Sequence, residues 1–481
     1  MNTKKINVAV FIILFFLSFV NFNYNFLNVA GTNNFYNIPA TNGEVESTDG
    51  ILYGLESGHY LLGRYERNNF KDWQDVQKYK KLFEDRVYGE SFKKYVTSFG
   101  LQAKIFGNLV EKFDLKLKNF HTINSLIFSS IIALFAIYLQ KNFTLRQSIV
   151  FALAIATSPW VVAHAKDIRW ITWSWYLPLF SLIAINYYFD LKKLKTILVW
   201  FVIVYLLILF RCLFGYEYLS TIMSITYFYF LFILLKLKFD FKKVFILSSL
   251  LGFISVFAFL TSFLFHNNIK VYENMSQIEG LKTRISVNMG FIDKKKMERN
   301  PCLMKSLIDE NKIDDCNNKA TAIKLINYYE DLDKISRLEV LGRYFIFRNL
   351  LPYFGSFEKF LDNDIKSYLK EIFWERKYYK LKNINEKVKI KSFFPIISVF
   401  FQTLFFIFII IFTFRKIFKH GDIAEKILIT GAFFSSASWF LLAKNYTYIH
   451  MHLCYVAWYL SYLPFAYMLI LSTKKNENSI K

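Results

Sequence analysis

The chain has 481 residues, 54% of them apolar and 20% aromatic, and a formal net charge of +23. Apolar runs recur along most of the chain, which excludes an ordinary soluble domain and indicates a membrane protein. The charge does not indicate a nucleic-acid partner, because much of the Lys and Arg lies in short segments between apolar runs. In that position basic residues orient a membrane protein.

Ten apolar stretches are candidates for helices that cross a bilayer, although several are shorter than the roughly 20 mostly apolar residues that a span needs. The first follows Lys4 and Lys5 and has no clear small-residue cleavage site, which is typical of a retained anchor. Strand-like alternation is scarce. The sequence therefore predicts a mainly α, polytopic membrane protein with about ten transmembrane helices, at about 6–22, 123–140, 146–164, 170–189, 196–211, 217–235, 243–266, 393–414, 424–443 and 452–472.

The short connections between these helices alternate in charge. One set is rich in lysine, whereas the opposite set carries only Lys166, Arg169, Arg211 and Lys444. The positive-inside rule places the lysine-rich side and both termini in the cytoplasm, with the chain in the cytoplasmic (inner) membrane. The predicted organisation is a first transmembrane helix (1–22), a first extracytoplasmic loop with interfacial helices (23–122), a bundle of about six helices (123–266), a second, mostly helical extracytoplasmic segment (267–392), and three helices with a short cytoplasmic tail (393–481).

A first group of charged residues follows the first span, in "ESTDGILYGLESGHYLLGRYERN". Asp49 is a candidate general base for an acceptor hydroxyl, and the alternative is that Thr48 or Asp49 caps a helix. Glu56 lies two helical turns further on, on the same face, and is the alternative base or a substrate ligand. Arg64 and Arg67 either pair with acids, bind phosphate or form a solvated face.

A second group lies on the predicted turn after the third span. Lys166 and Arg169 are candidates for binding a lipid phosphate. The tryptophans around them are typical of an interfacial belt, and simple anchoring is the alternative. These tryptophans are Trp160, Trp170, Trp173 and Trp175.

A third group surrounds the bend at Gly215, in "LFRCLFGYEYLS". Arg211 and Glu217 flank this bend, and an ion pair that closes the hairpin is one interpretation. The other is that Glu217 or Tyr216 binds a polar substrate.

A fourth group, Lys444, His450 and His452, lies between the last two predicted spans. Phosphate or sugar binding by Lys444 and His450 is favoured over a metal site, because His-x-His needs further ligands, and an interfacial anchor is the other alternative. No metal and no cofactor is therefore predicted. Cys302 and Cys316 share the second external segment, where they either form a disulfide or stay as free thiols.

All four groups map to one predicted membrane face. Three segments, "TDGILYGLESGHYLLGRY", "FGYEYLS" and "WFLLAKNYTYIHMHLCYVAWYL", resemble uncharacterised bacterial proteins of the GT-C type. As an architecture, most of the chain is similar to the GT-C superfamily of polyprenyl-phosphate-sugar-dependent glycosyltransferases. The resemblance implies a catalytic acid in the first external loop, which matches Asp49. Many relatives carry paired acids there, whereas Gly50 follows Asp49 here, which leaves Glu56 as the alternative.

The resemblance implies an inverting transfer at the extracytoplasmic face. The donor is a polyprenyl-phosphate sugar, and the acceptor is a glycan, a lipid or a protein. The base deprotonates the acceptor hydroxyl while external cations stabilise the leaving phosphate. One alternative is an O-antigen or capsule polymerase or ligase that uses lipid-diphosphate glycans. Another is a lipid or solute transporter. The spans contain few charges and no paired broken helices, which argues against a transporter.

Overall fold

The computed structural model describes residues 3–30, 43–67, 76–95, 97–267, 269–272, 275–289, 291, 336–338, 340–341, 394–449 and 454–471. Within these ranges the chain is mainly helical, as predicted. Most of the second predicted external segment lies outside the described residues, and so do His450, His452, Cys302 and Cys316. The disulfide stays a prediction.

A helical bundle forms the main body. Its first half comprises α1 (Thr3–Tyr24), α5 (Leu117–Tyr138), α6 (Leu145–Ala156), α7 (Pro159–His164), α8 (Leu177–Tyr188) and α9 (Leu194–Phe214). Its second half comprises α10 (Leu219–Lys236), α11 (Phe241–Ser262), α13 (Phe394–His420), α14 (Ile423–Leu442), α15 (Lys444–Ile449), α16 (Val456–Leu460) and α17 (Tyr462–Ile470). Pairs such as α10 with α14 and α1 with α5 pack along their lengths around one apolar core.

Several helices are apolar enough for the chain to be a membrane-embedded protein. Five in the described ranges have the length and hydropathy of a membrane span, namely Lys5–Tyr24, Leu117–Lys141, Leu194–Phe214, Leu219–Lys236 and Phe241–His266. The predicted count of ten spans is not confirmed. Two further apolar helices, Leu145–Ala156 and Leu177–Tyr188, are shorter than a span.

Two predicted spans are broken, which corrects the expectation of no paired broken helices. The span at 146–164 divides at Ser158, whose side chain caps α7 by accepting the Val161 N–H at 3.2 Å. Pro159 follows, and a proline cannot supply the N–H that would continue α6. The span at 452–472 divides at Ser461, between α16 and α17. The two broken helices pack on each other, α17 against α6 and α16 against α7.

The first predicted external segment forms a small cap on one end of the bundle. Its elements are α2 (Val45–Ser57), β1 (Gly63–Glu66), α3 (Val76–Glu84), β2 (Ser91–Lys94) and α4 (Leu101–Phe113). Strands β1 and β2 are antiparallel, with Gly63 opposite Lys94, and the sequence analysis had not predicted them. The cap has its own apolar core, which Ile168, Ile171 and Phe214 of the bundle complete.

Further chain returns to the capped end of the bundle after α11. Strands β3 (Lys270–Tyr272) and β4 (Met275–Ser276) pair, and α12 (Gln277–Asn288) follows. The Gln277 amide donates to the carbonyl of Ser98 in the cap at 2.7 Å. This contact joins the beginning of the second predicted external segment to the first.

Lysine-bearing connections meet at the opposite end of the bundle. Lys236 pairs with Asp422, and Lys141 donates to the carbonyl of Phe189 at 3.2 Å. Both lysines belong to the set of connections that is rich in lysine.

Candidate functional site

Helix α2 begins at Val45, four residues before Asp49. The alternative that Thr48 or Asp49 caps this helix is therefore wrong, since both lie within it. Gly50 sits where α2 packs against the chain that leads into β1. A Cβ atom at Gly50 would lie 2.1 Å from the carbonyl oxygen of Leu61, so the glycine after Asp49 permits this close packing.

The Asp49 carboxylate is buried beneath β1, at 4% exposure. Arg67 binds both of its oxygens, at 2.8 and 3.1 Å, and the Tyr65 N–H donates to Oδ2 at 2.9 Å. Burial raises the pKa of Asp49, while the hydrogen bonds and charge of Arg67 oppose that rise. Asp49 thus already accepts three hydrogen bonds within the protein.

Tyr65 also connects Asp49 to the second candidate base. Its hydroxyl donates to Glu56, which is exposed on the outer part of α2. The two acids lie on one side of α2, as their spacing predicted, but they differ in surroundings. Asp49 faces the buried interior, and Glu56 faces outward.

Glu46 lies one turn before Asp49 and joins the cap to the bundle. Its Oε1 accepts Arg64 at 3.1 Å, and its Oε2 lies 3.4 Å from Nε of Arg169. Gly43 has φ +101°, and a Cβ there would lie 3.1 Å from the Glu46 carboxylate, so glycine leaves room for this contact. The Arg169 guanidinium also stacks over the Tyr95 ring, 4.6 Å from its centroid.

Lys166 and Asp167 lie in the same turn as Arg169 and are buried as well. Burial lowers the pKa of Lys166 to about 8, although the charges of Glu44 and Asp167 act in the opposite direction. A lysine in this range carries a proton that it can lose near neutral pH. The predicted phosphate-binding pair, Lys166 and Arg169, therefore lies inside the protein at the junction of cap and bundle.

Arg211 and Glu217 form the predicted ion pair, at 3.0 Å. Arg211 is 1% exposed, and its Nε and Nη1 have no hydrogen-bond partner in the described part of the chain. Gly215 lies against the pair, because a Cβ there would be 2.3 Å from Oε2 of Glu217. The Tyr216 hydroxyl is bound instead by Ser262 and His266, at 2.9 and 2.8 Å.

An aromatic cluster lies beside Arg211, whose guanidinium carbon is 5.9 Å from the centroid of Trp175. Ring contacts of 5.1–6.2 Å connect its members, which are Trp170, Trp175, Tyr218, Trp439 and Tyr446. The expectation of an interfacial belt is wrong for Trp160, Trp170 and Trp175, because all three are buried within the protein.

The aromatic cluster contains polar groups that lack partners. The indole N–H groups of Trp170, Trp175 and Trp439 are buried without an acceptor among the described residues. By contrast, the Trp173 indole donates to Asn124 at 3.0 Å. Unfilled donors beside aromatic faces suit a ligand that carries oxygen atoms on an apolar ring.

The described members of the four predicted groups, with Lys444 alone from the fourth, therefore converge at the capped end of the bundle. Arg169 connects the first and second groups, and Glu217 acts electrostatically on both Arg169 and Tyr446. Lys444 is buried at the start of α15 nearby. Sequence reasoning missed Glu44, Tyr79, Tyr95 and His121, because nothing in their spacing shows that they meet the other groups.

Chemically, the site offers carboxylates, guanidinium groups and aromatic faces in a largely water-excluded setting. The described residues contain no group of three His, Cys, Asp or Glu side chains placed to hold a metal ion. Comparison with known proteins found no matching family model, no matching curated protein and no matching solved structure.

Proposed function

We propose that the protein is a membrane glycosyltransferase of the GT-C type. It transfers a sugar from a polyprenyl-phosphate donor to an extracytoplasmic glycan, lipid or protein acceptor, with inversion at the anomeric carbon. In this proposal the capped end of the bundle faces away from the cytoplasm. Both termini are cytoplasmic, and the chain lies in the inner membrane.

The observation that carries the proposal is the gathering of two ion pairs at one end of the bundle. Glu46 contacts Arg169, Glu217 pairs with Arg211, and the charge of Glu217 acts on Arg169. Cations in this set suit a phosphate, and carboxylates suit sugar hydroxyls. The aromatic cluster suits the apolar face of a sugar ring. The bundle supplies apolar helix surfaces on which a polyprenyl chain can lie, so the lipid and the sugar meet at one place.

Three acids compete for the role of general base. Asp49 has three of its roughly four acceptor positions occupied, so a single position on Oδ1 is left for a substrate proton. Glu56 is exposed and accepts the Tyr65 hydroxyl. Glu46 touches Arg169 directly and keeps a free lone pair on each oxygen, which makes it our preferred base.

The test is transfer of label from radioactive polyprenyl-phosphate sugars to membrane extract by the purified protein. Asp49→Asn, Glu46→Gln and Glu56→Gln are assayed in parallel. Asp114→Asn is the matched control, because that carboxylate pairs with Arg86 on the cap surface at 88% exposure. We expect loss of transfer of about 100-fold or more in the variant that lacks the base, as removal of general-base catalysis predicts.

Each outcome of this assay assigns a role. Loss in Glu46→Gln alone identifies Glu46 as the base, whereas loss in Asp49→Asn alone restores the prediction from sequence. Normal transfer in all three variants excludes a carboxylate base in α2. Transfer only from lipid-diphosphate glycans identifies a polymerase or ligase instead.

A second candidate function is transport of a lipid or solute. The broken helices α6–α7 and α16–α17 favour it, since paired discontinuous helices form substrate sites in many transporters. Ser436 and Ser461, 2.6 Å apart, place polar groups at one of these breaks. Uptake into proteoliposomes without any glycosyl transfer would support this candidate over the enzyme.

A further inference from the structure

The turn of residues 166–171 carries Arg169 into the site, and side chains from distant elements hold its backbone. Asn124 of α5 donates to the carbonyls of Lys166 and Asp167, at 3.2 and 3.1 Å. Gln102 of α4 donates to the carbonyl of Arg169 at 3.1 Å. The turn is therefore defined by tertiary contacts more than by its own sequence.

Asn124 and Gln102 bind carbonyl groups of this turn, whereas Glu44 binds one of its N–H groups. It is fully buried and accepts the N–H of Ile168 at 3.3 Å. The same carboxylate binds His121 at 2.7 Å and accepts the Tyr79 hydroxyl. Burial acts to raise the pKa of Glu44, but the charge and hydrogen bond of His121 leave it below the ordinary value. One carboxylate thus joins the turn to α3 and α5.

The end of the turn has a strained backbone. Ile171 has φ +47° and ψ +56°, a left-handed conformation that a β-branched residue rarely adopts. Such a residue costs about 1–3 kcal/mol and persists only where its surroundings impose it. Within the turn, the Asp167 side chain binds the N–H groups of Arg169 and Trp170, at 2.6 and 3.3 Å.

We infer that Glu44 is a positioning residue. It holds the strained turn in the conformation that places the Arg169 guanidinium against Glu46 and Tyr95. The effect of Glu44 on catalysis rests on the proposed function, whereas its effect on the turn does not.

The structural part is tested by hydrogen–deuterium exchange of the purified full chain, followed at peptides that cover residues 166–171. In Glu44→Ala we expect exchange of this turn to rise at least tenfold, because the Ile168 N–H loses its acceptor. Glu44→Gln keeps an oxygen acceptor and is expected to give a smaller rise. Glu111→Ala is the matched control, since Glu111 also accepts a tyrosine hydroxyl but lies on the exposed face of α4.

Tyr79→Phe is the second variant, in case Glu44→Ala does not fold. It removes one bond to Glu44 and leaves the Ile168 contact, so exchange of the turn is expected to change less than threefold. Unchanged exchange of the turn in a folded Glu44→Ala protein would overturn the inference, whatever the protein catalyses. A large rise in Tyr79→Phe alone would overturn it too, because the hydroxyl and not the carboxylate would then hold the turn.

The catalytic part is tested by a double-mutant cycle on sugar transfer. If Glu44 acts through Arg169, the double variant Glu44→Ala/Arg169→Ala transfers no more slowly than Arg169→Ala alone. Losses that multiply would show an independent role for Glu44. Absence of transfer in the unmodified protein would reject the proposed function, and the exchange experiment would still decide the inference.

Discussion

Arg67 donates two hydrogen bonds to the Asp49 carboxylate, at 2.8 and 3.1 Å, and both side chains are at least 89% buried. Removal of one partner of a buried pair leaves the other charge without compensation, which costs about 3–5 kcal/mol. We therefore expect Arg67→Ala to lower the apparent melting temperature of the detergent-solubilised protein strongly.

Arg86→Ala is the control for this change, because its partner Asp114 is exposed and such surface pairs contribute about 0–1 kcal/mol. The double variant Arg67→Ala/Asp49→Asn should recover part of the lost stability. Equal effects of Arg67→Ala and Arg86→Ala would contradict a stabilising role for the buried pair.

Gly215→Ala tests the geometry of the Arg211–Glu217 pair. The added Cβ would lie 2.3 Å from the Glu217 carboxylate, so Glu217 must move. We expect transfer activity to fall about tenfold or more, equivalent to about 1.4 kcal/mol in the barrier, with little change in folding. Gly252→Ala in α11 is the control, because no atom lies within 4 Å of its added Cβ. Full activity in Gly215→Ala would show that sugar transfer does not depend on the position of Glu217.

Asn21→Ala tests the break between α6 and α7. The Asn21 amide donates to the carbonyl of Ala156, the last residue of α6, at 2.8 Å. Without it a buried carbonyl loses its partner, and we expect a loss of about 1–3 kcal/mol in stability. Thermal unfolding measures the change, with Ser130→Ala as control, since Ser130 is half-buried and its hydroxyl donates to the carbonyl of Leu126 in its own helix. Equal melting of both variants would contradict this anchoring role.

The pH dependence of stability tests the charge of Glu44. Its pKa in the folded protein lies below the ordinary value of 4.5, so the unfolded chain binds a proton first as the pH falls. The stability that the charged Glu44 carboxylate contributes is complete above its ordinary pKa. This contribution is lost as the pH falls through the pKa of Glu44 in the folded protein. We expect the melting temperature of the unmodified protein to fall more steeply below pH 4.5 than that of Glu44→Gln. If the melting temperatures of the unmodified protein and Glu44→Gln fell in parallel with pH, His121 would not stabilise the charged form of Glu44.

The sequence indicated Glu217 as a partner of Arg211, but for Arg64 and Arg67 it offered pairing with unspecified acids as one of several alternatives. Arg64 and Arg67 do pair with acids, and Arg211 pairs with Glu217 across a bend of six residues. The last pair is local, so its spacing alone was informative. Arg169 instead reaches Glu46, more than a hundred residues away, which no local pattern could indicate.

The breaks in the helices show a second feature that hydropathy does not predict. Pro159 was visible in the sequence as a helix-breaking residue, but the apolar run around it favoured a continuous span. Hydropathy reports the environment of a segment, and it does not report whether the backbone inside that segment is continuous. The break at Ser461 also has a proline beside it, because Pro464 cannot supply the N–H that would bond to the carbonyl of Leu460 and continue α16. The Ser461 hydroxyl contacts Ser436 at the same place.

The sequence by itself determined the helical, membrane-embedded class and the alternation of lysine-rich and lysine-poor connections, because hydropathy and the distribution of lysines act locally along the chain. Only the tertiary structure decided which acid meets which cation. It also decided that Glu44 contacts the turn that carries Arg169. Those pairings depend on how the cap packs on the bundle. Packing joins residues that are distant in sequence, and no periodicity encodes it.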